Sequence, residues 1–435
     1  MNTVTISSQR HAPRIAVTNT VALNGGDAAI AIAIVESVRR AAPYARIELH
    51  DSQPAAAARY HPSLRWRSSL ARIAQLGRSR RRGARVLTPL NEARLLGAAQ
   101  LWRRRATRPL AAGLLREGER RQIADFAGID LVVSTGGTYL VEHYDIGARI
   151  FELLMARALG VPVVFYTQSL GPFHVRRHRR LLRKVFAASP LVLLRDERSR
   201  RNLRDLGVSG TALHVVADAV FGRENALPFA EPDGTPVRSV AVSVREWPPG
   251  ADASDPAMVA FRRAVAASVS WLVRQHSASV TFLSTCQGVP EYWTDDSKVA
   301  EAVAAELPED VRPRVQVDRE FHAPDALADA YARFDMVLAT RMHAAILALT
   351  AGTPVLPVAY EFKTTELFQA LGLGDYVVAI DGIDEDRLLE RIHAFLADLP
   401  AVMRTLRPGV DTQRAQARRA EELLARVAQR VTARR

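Results

Sequence analysis

Short apolar runs alternate with longer amphipathic segments through most of this 435-residue chain. Arg14-Ile15-Ala16-Val17 is one such run. A polar loop, Asn24-Gly25-Gly26-Asp27, follows it, and from Ala28 to Arg40 the apolar residues recur at helical spacing, so the segment reads strand, loop, helix. Arg46 to His50 is a second strand, completing a βαβ unit with a right-handed crossover. Asp130 to Ser134 is a buried-type strand that runs into Thr135-Gly136-Gly137-Thr138, and a long helix is predicted from there through Leu159, capped by Gly160. Val161–Thr167 is then a strand, Val175–Ser189 a basic helix, Leu191–Leu194 a strand, Ser199–Leu206 a helix and His214–Asp218 a strand.

Pro228, Pro232, Gly234 and Pro236 crowd one polar stretch, which marks a domain boundary. The alternation resumes beyond it with strands at Ser239–Val244, Ser279–Leu283, Arg314–Val317, Met336–Ala339 and Pro354–Val358. Helices are predicted between them at 256–276, 296–307, 325–332, 342–351 and 365–371. The pattern predicts an α/β protein of two doubly wound, Rossmann-like domains. The first spans residues 14–227 with an arginine-rich insertion at about 59–121, the second 237–400, and a basic helix occupies 411–435.

Composition agrees with two packed cores: 48% of residues are hydrophobic and 24% charged. Cys286 is the single cysteine, and no cysteine or histidine spacing typical of zinc sites occurs, so neither a disulfide nor a metal centre is expected. Met1 to Pro13 lacks a basic segment followed by an apolar one, and no apolar stretch reaches about 18 residues. A cytoplasmic protein is expected. The net charge of +13 is concentrated, because residues 59–121 hold seventeen arginines against three glutamates. Runs such as Arg78-Ser79-Arg80-Arg81-Arg82 and Arg103-Arg104-Arg105 can be a solvated face, or can attract an anionic membrane surface or an acidic acceptor. Nucleic acid is not expected as a partner, since no helix-turn-helix, aromatic RNA-binding pattern or zinc module accompanies the charge.

In parallel sheets ligands bind beyond the carboxyl ends of strands, so polar residues at strand-to-helix junctions are the candidates. Asn24, Gly25 and Gly26 offer backbone N–H groups at a helix start, with Asp27 as cap or catalytic carboxylate. Gly136 and Gly137 form a similar but plainer loop. Gln168 ends a strand and can face a cleft. Arg195 is the first polar residue after Leu191–Leu194, placed either for an anion or for an ion pair with Asp196 or Glu197. The sharpest junction is Thr340-Arg341-Met342-His343, which joins a strand end, a helix start, a guanidinium fork and an imidazole within four residues. Lys363 can add a further cation.

These residues, in this order, resemble the polysaccharide pyruvyl transferase family from about Ile15 to Tyr376. The resemblance is carried by Asn24-x-Gly26-Asp27, Gly136-Gly137, Gln168-Ser169-Leu170-Gly171-Pro172-Phe173, Arg195-Asp196-x-x-Ser199, Leu206-Gly207-Val208, Asp218, Arg341-Met342-His343, Pro354 with Tyr360 and Lys363, and Leu371-Gly372-Leu373. It implies a fold similar to two-domain GT-B glycosyltransferases with the active site in the cleft between domains. It also implies phosphoenolpyruvate as co-substrate with no further cofactor, and a sugar hydroxyl pair, free or lipid-linked, as acceptor. Carried over by motif, Arg195, Arg341 and His343 contact the donor and Met342 contributes its backbone. Methionine stands where leucine is common, a near-isosteric change, and Gln168 stands where some members place a histidine. The chemistry assigns His343 as general acid and Asp27 as a base. Lys363 and Gln168 join the donor side, and Asn24, Gly25, Gly26, Gly136 and Gly137 line the anion or acceptor cleft. A nucleotide-sugar glycosyltransferase and a non-catalytic anion- or glycan-binding protein are the alternatives.

Overall fold

The computed structural model describes residues 12–75, 88–142, 144–224, 227–229, 234 and 236–432. Its first sheet holds eight strands: β1 (Arg14–Thr20), β2 (Arg46–Asp51), β3 (Trp66–Ser68), β4 (Leu131–Ser134), β5 (Gly137–Leu140), β6 (Val163–Leu170), β7 (Leu191–Leu194) and β8 (Leu213–Val215). They run in the order β3-β2-β1-β4-β6-β7-β8, with β5 pairing β6, and every pairing is parallel. The second sheet holds β9 (Ser239–Ser243), β10 (Ser279–Phe282), β11 (Val315–Val317), β12 (Met336–Ala339), β13 (Val355–Ala359) and β14 (Val378–Ala379). Its order, β11-β10-β9-β12-β13-β14, is also parallel throughout. Both are doubly wound sheets in which the strand order reverses beside the first strand, between β1 and β4 and between β9 and β12. The strand ends that flank a ligand crevice are therefore 18–27 and 134–138 in one domain, and 243–245 and 340–343 in the other.

The strands read as continuous apolar runs because helices cover both faces. β4, β7 and β12 are buried along their whole length. One apolar cluster continues from Ile15 and Val17 through Ile30 and Ile34 of helix Gly25–Ala41 to Val240, Ala345 and Leu349 of the second domain, so that helix packs between the two halves. Each large side chain buried there contributes about 1.5–3 kcal/mol.

Two expectations need correction. Helix Gly25–Ala41 begins three residues earlier than its apolar periodicity, because the Asn24 side chain caps it. The long helix expected after Thr138 is preceded by strand β5, and only Gly147–Leu159 is helical, ending at Gly160 in the left-handed conformation. The arginine-rich insertion is folded. It contributes helices Thr88–Trp102 and Arg108–Gly113 and the start of Glu117–Phe126, and it buries Leu70, Ile73 and Leu95 against the first domain. The Arg78–Arg82 run lies outside the described residues.

The final helix is also longer than predicted, running from Leu399 to Thr432. It returns to the first domain, where both carboxylate oxygens of Glu421 lie 2.8–2.9 Å from Arg40 Nε. No helix among the described residues is long and apolar enough to cross a membrane.

Candidate active site

The start of helix Gly25–Ala41 lies against the second domain. Thr285 accepts the Gly25 N–H at 3.0 Å, and a Cβ at Gly25 would collide with that same carbonyl. A Cβ at Gly26 would come within 2.6 Å of His343 Nδ1, so only glycine leaves room for the imidazole. These glycines do not cradle an anion as the sequence suggested. The Gly26 and Asp27 N–H groups donate to Asn24 Oδ1 at 2.9 and 3.2 Å, and Ala28 donates to the Asn24 carbonyl. The loop is instead the surface on which the histidine of helix Met342–Thr350 rests.

His343 faces a carboxylate that received no role from sequence. Its Nε2 is 3.6 Å from Asp218 Oδ2, an ion-pair rather than a hydrogen-bond distance, and that buried nitrogen has no hydrogen-bond partner. Asp218 is also paired with Arg195, so the arginine's partner is 23 residues away rather than the neighbouring Asp196 or Glu197. Asp196 instead caps helix Glu197–Asp205 and accepts the Ser169 hydroxyl at 2.6 Å. Burial would raise the Asp218 carboxyl, but the Arg195 guanidinium and the His343 ring outweigh it and hold the group well below the ordinary carboxylate range. Asp218 stays ionised and orients both cleft residues. Arg195 further donates to Thr138 Oγ1 at 3.1 Å and Ser169 Oγ at 3.3 Å.

Lys363 reaches the same point from the second domain. Its Nζ donates to Thr138 Oγ1 at 2.6 Å and pairs with Glu361 at 2.5 Å. Burial pulls its pKa down, partly opposed by Glu361. Arg149 approaches from helix Gly147–Leu159, with its guanidinium 4.4 Å from the Tyr139 ring centroid. Asp27 sits among these groups. Its carboxylate makes no hydrogen bond or close ion pair among the described residues. Burial raises its pKa against the pull of His343, Arg149, Arg195 and Lys363, in that order. A half-buried carboxylate without a partner, within electrostatic reach of four basic side chains, is suited to moving a proton beside an anionic ligand.

Arg341 and Gln168 are less available than the sequence suggested. Arg341 Nε and one terminal nitrogen hold Asp296 in a fork at 2.9 and 2.6 Å, leaving its other terminal nitrogen without a partner among the described residues. Asp296 outweighs the cost of burial and raises the pKa of the guanidinium, which remains charged. Gln168 is 1% exposed and does not face the cleft. Its amide donates to Ser134 Oγ at 3.0 Å, the Thr135 carbonyl at 2.7 Å and the Tyr139 hydroxyl at 2.6 Å, tying β4, β5 and β6 together. Gly136 backs onto Thr167, and Gly137 enters β5 at a φ of 109°, opposite Asp27. Met342 lines a cavity of about 310 Å3 together with Arg195, Asp218 and Lys363. Among the described residues no group of three or more histidine, cysteine, aspartate or glutamate side chains is arranged to hold a metal ion. Asp295 caps helix Asp296–Ala305 and Asp296 serves Arg341.

The sequence matches the polysaccharide pyruvyl transferase family over residues 24–361. The chain belongs to that family. Among curated proteins it is 23% identical over 294 residues to the amylovoran biosynthesis protein AmsJ of Erwinia amylovora, covering 66% of this chain and 70% of AmsJ. Solved structures share its fold across nearly the whole length. One is Anabaena HepE in complex with UDP-glucose, with a TM-score of 0.52 at 12% identity, covering 97% of this chain and 98% of that one. Another is UDP-GlcNAc 2-epimerase from Neisseria meningitidis bound to UDP-GlcNAc, with a TM-score of 0.55 at 11% identity, covering 95% of this chain and all of the other. At such identities the likeness concerns architecture alone, and it is the two-domain, GT-B-like arrangement that the motif order implied.

Within this pyruvyl transferase fold the residues that sequence reasoning left without a site role are Asp218, Thr138, Arg149, Asp296 and Glu361. Asp218 carried a signal, since it is the first acidic residue beyond strand β8 and belongs to the ordered motif set. Thr138 and Arg149 carried none. Their place beside the cleft depends on β5, which carries the chain on in parallel along β6 before the next helix begins.

Proposed function

We propose that this member of the pyruvyl transferase family transfers the pyruvyl group of phosphoenolpyruvate to two hydroxyls of one saccharide unit, forming a cyclic ketal and releasing phosphate. The observation that carries this reading is the convergence of Arg195 and Lys363 on Thr138, within electrostatic reach of His343, Arg149 and the unpartnered Asp27 carboxylate. The reaction needs both halves of that arrangement. The methylene carbon of the donor takes a proton, and the adjacent carbon becomes oxocarbenium-like. One sugar hydroxyl adds there and loses its proton. Phosphate then departs and the second hydroxyl closes the ketal. Of the two hydroxyl protons, one is balanced by the new methyl group and the other leaves with phosphate.

In this reading Arg195 and Lys363, joined through Thr138, hold the anionic groups of the donor, and the free nitrogen of Arg341 approaches from the other strand end. His343 supplies the proton and Asp27 receives one from the attacking hydroxyl. No cofactor beyond the donor takes part. The naming of AmsJ for amylovoran biosynthesis supports an exopolysaccharide or cell-envelope glycan as acceptor, made at the cytoplasmic side. Peripheral contact with an anionic membrane through the arginine-rich segment is part of the same proposal. It requires vesicle binding that weakens with salt and with neutralisation of Arg80, Arg81 and Arg82.

The deciding assay incubates purified protein with phosphoenolpyruvate or nucleotide-sugars and a panel of saccharides. Phosphate release coupled to a pyruvyl mass gain on the acceptor supports the proposal. Glycosyl transfer from a nucleotide-sugar replaces it with the glycosyltransferase alternative, and donor binding without turnover replaces it with an anion-binding role. His343→Ala should lower turnover by roughly 10²–10⁴-fold. Unchanged turnover in a folded variant removes His343 from the proton-transfer step.

A further inference from the structure

A second cavity, of about 380 Å3, opens at the carboxyl ends of β1 and β2, and Lys363 is not part of its lining. Its volume falls in the range of about 300–1,000 Å3 common to small-molecule pockets. Arg149 and Tyr292 belong to its lining, and each interacts electrostatically with Asp27, so the cavity adjoins the reacting centre. The Tyr292 hydroxyl accepts from Asn24 Nδ2 at 3.2 Å, which fixes the loop that carries the next residue, Trp293.

Three features of this cavity are not needed by the fold. Trp293 is 74% exposed and lies on its rim, where the indole face is available to a ligand that packs on it. His50 lines the cavity while only 4% exposed, and its Nδ1 has no hydrogen-bond partner. The lining includes four carboxylate residues, Asp51, Asp145, Glu152 and Glu291, against Arg149 as the one arginine or lysine among the described lining residues. Asp51 is consumed internally by Thr20, Ala22 and Gln53, and Glu291 by Arg59 and Tyr60, whereas Glu152 engages only one of its oxygens, through Ser69 and Leu70.

We propose that this cavity is the acceptor subsite and that it takes an uncharged, hydroxyl-rich pyranose rather than an acidic sugar. The inference rests on the pyruvyl-transfer reading for the word acceptor, but not for the binding itself. A pyranose has an apolar C–H face that packs on an indole and a rim of hydroxyls that donate to carboxylates and imidazole. Acids outnumber bases on the walls, so a uronate carboxylate entering here meets like charge and a desolvation cost. The anionic groups of the reaction then belong to the Arg195 and Lys363 side, and the neutral partner to the Trp293 side. Asp27 stands between them, where it can take the hydroxyl proton.

The test is saturation-transfer NMR on the full chain with methyl β-D-glucopyranoside, methyl β-D-galactopyranoside, methyl α-D-mannopyranoside and methyl β-D-glucuronide at high millimolar concentration. At least one neutral glycoside should show transfer and the glucuronide none. Trp293→Ala, an exposed position that the fold does not depend on, should weaken the neutral glycoside by roughly 3- to 10-fold, while Arg195→Ala leaves it in place. Absence of transfer from all three neutral glycosides overturns the proposal, as does glucuronide binding of equal strength or indifference to Trp293→Ala. Turnover with phosphoenolpyruvate on the same preparations separates the two readings. Trp293-dependent glycoside binding without pyruvyl transfer leaves the subsite standing and removes the reaction. Pyruvyl transfer with an acceptor KM unchanged by Trp293→Ala removes the subsite.

Discussion

Replacing Asp296 with alanine tests whether the cleft guanidinium of Arg341 is built in by its buried partner. The Asp296 side chain has no solvent exposure and Arg341 only 12%. Asp296 accepts Arg341 Nε at 2.9 Å, Arg341 Nη2 at 2.6 Å and Ser284 Oγ at 2.6 Å. Alanine leaves a desolvated cation and a hydroxyl with one acceptor fewer, and breaking a buried pair from one side costs about 3–5 kcal/mol. At about 2–4 °C per kcal/mol for a domain of about 150–250 residues, the transition of the second domain should fall by roughly 6–20 °C. Asp295→Ala is the control, since it loses only a helix cap, whose side chain accepts from Ser297 N at 3.1 Å, worth about 1 kcal/mol. Differential scanning calorimetry of both variants, with the donor KM measured on each, gives the comparison. If Asp296→Ala melts within a degree or two of Asp295→Ala, the buried pair does not carry the weight argued for it. If it melts low but binds donor normally, Arg341 is structural.

Gly26→Ala should keep the helix but displace the His343 ring, whose Nδ1 and Cβ lie 2.6 and 2.9 Å from the added carbon. The expected result is at least a tenfold loss of turnover, on the scale of disturbed catalytic positioning of up to about 10²-fold, with a fall in melting temperature from overpacking of about 1–3 kcal/mol. Asp27→Asn should abolish base function yet stabilise the fold at neutral pH. The folded pKa of Asp27 is raised above 3.8, so its relative contribution to stability is present below that value and is lost as pH rises through the folded pKa. The variant's gain in melting temperature should therefore appear as pH rises above about 4 and level off once the folded pKa is passed, and a difference equal at pH 3 and at neutrality contradicts the burial argument. Lys363→Met should raise the dissociation constant for phosphoenolpyruvate by roughly 10- to 150-fold, the range of a lost charge-assisted hydrogen bond, as read by calorimetric titration.

The alternation of β and α elements was legible because parallel strands covered on both faces must be apolar end to end, as Leu191–Leu194 and Met336–Ala339 are. The junctions that carry chemistry were legible for the same reason, since a polar residue directly after such a run has to leave the sheet at its ligand-binding edge. Arg195 could be named on that ground and Arg341 one residue further on, whereas Asp27 was named from the glycine loop at a helix start. Local sequence could not say with whom they pair. Arg195 meets Asp218 across 23 residues, Arg341 meets Asp296 across 45, and Lys363 meets Thr138 across 225. Those separations are closed by sheet order and by the docking of two domains, which no local spacing encodes. Gly26 shows the difference most directly. The sequence allowed it to be a donor of N–H groups to an anion, and the tertiary structure made it the missing side chain that lets His343 approach. The amino-acid order thus determined the two parallel sheets and the edge at which ligands bind. The packing of one domain on the other decided which groups stay charged, which are sequestered, and where a proton can pass.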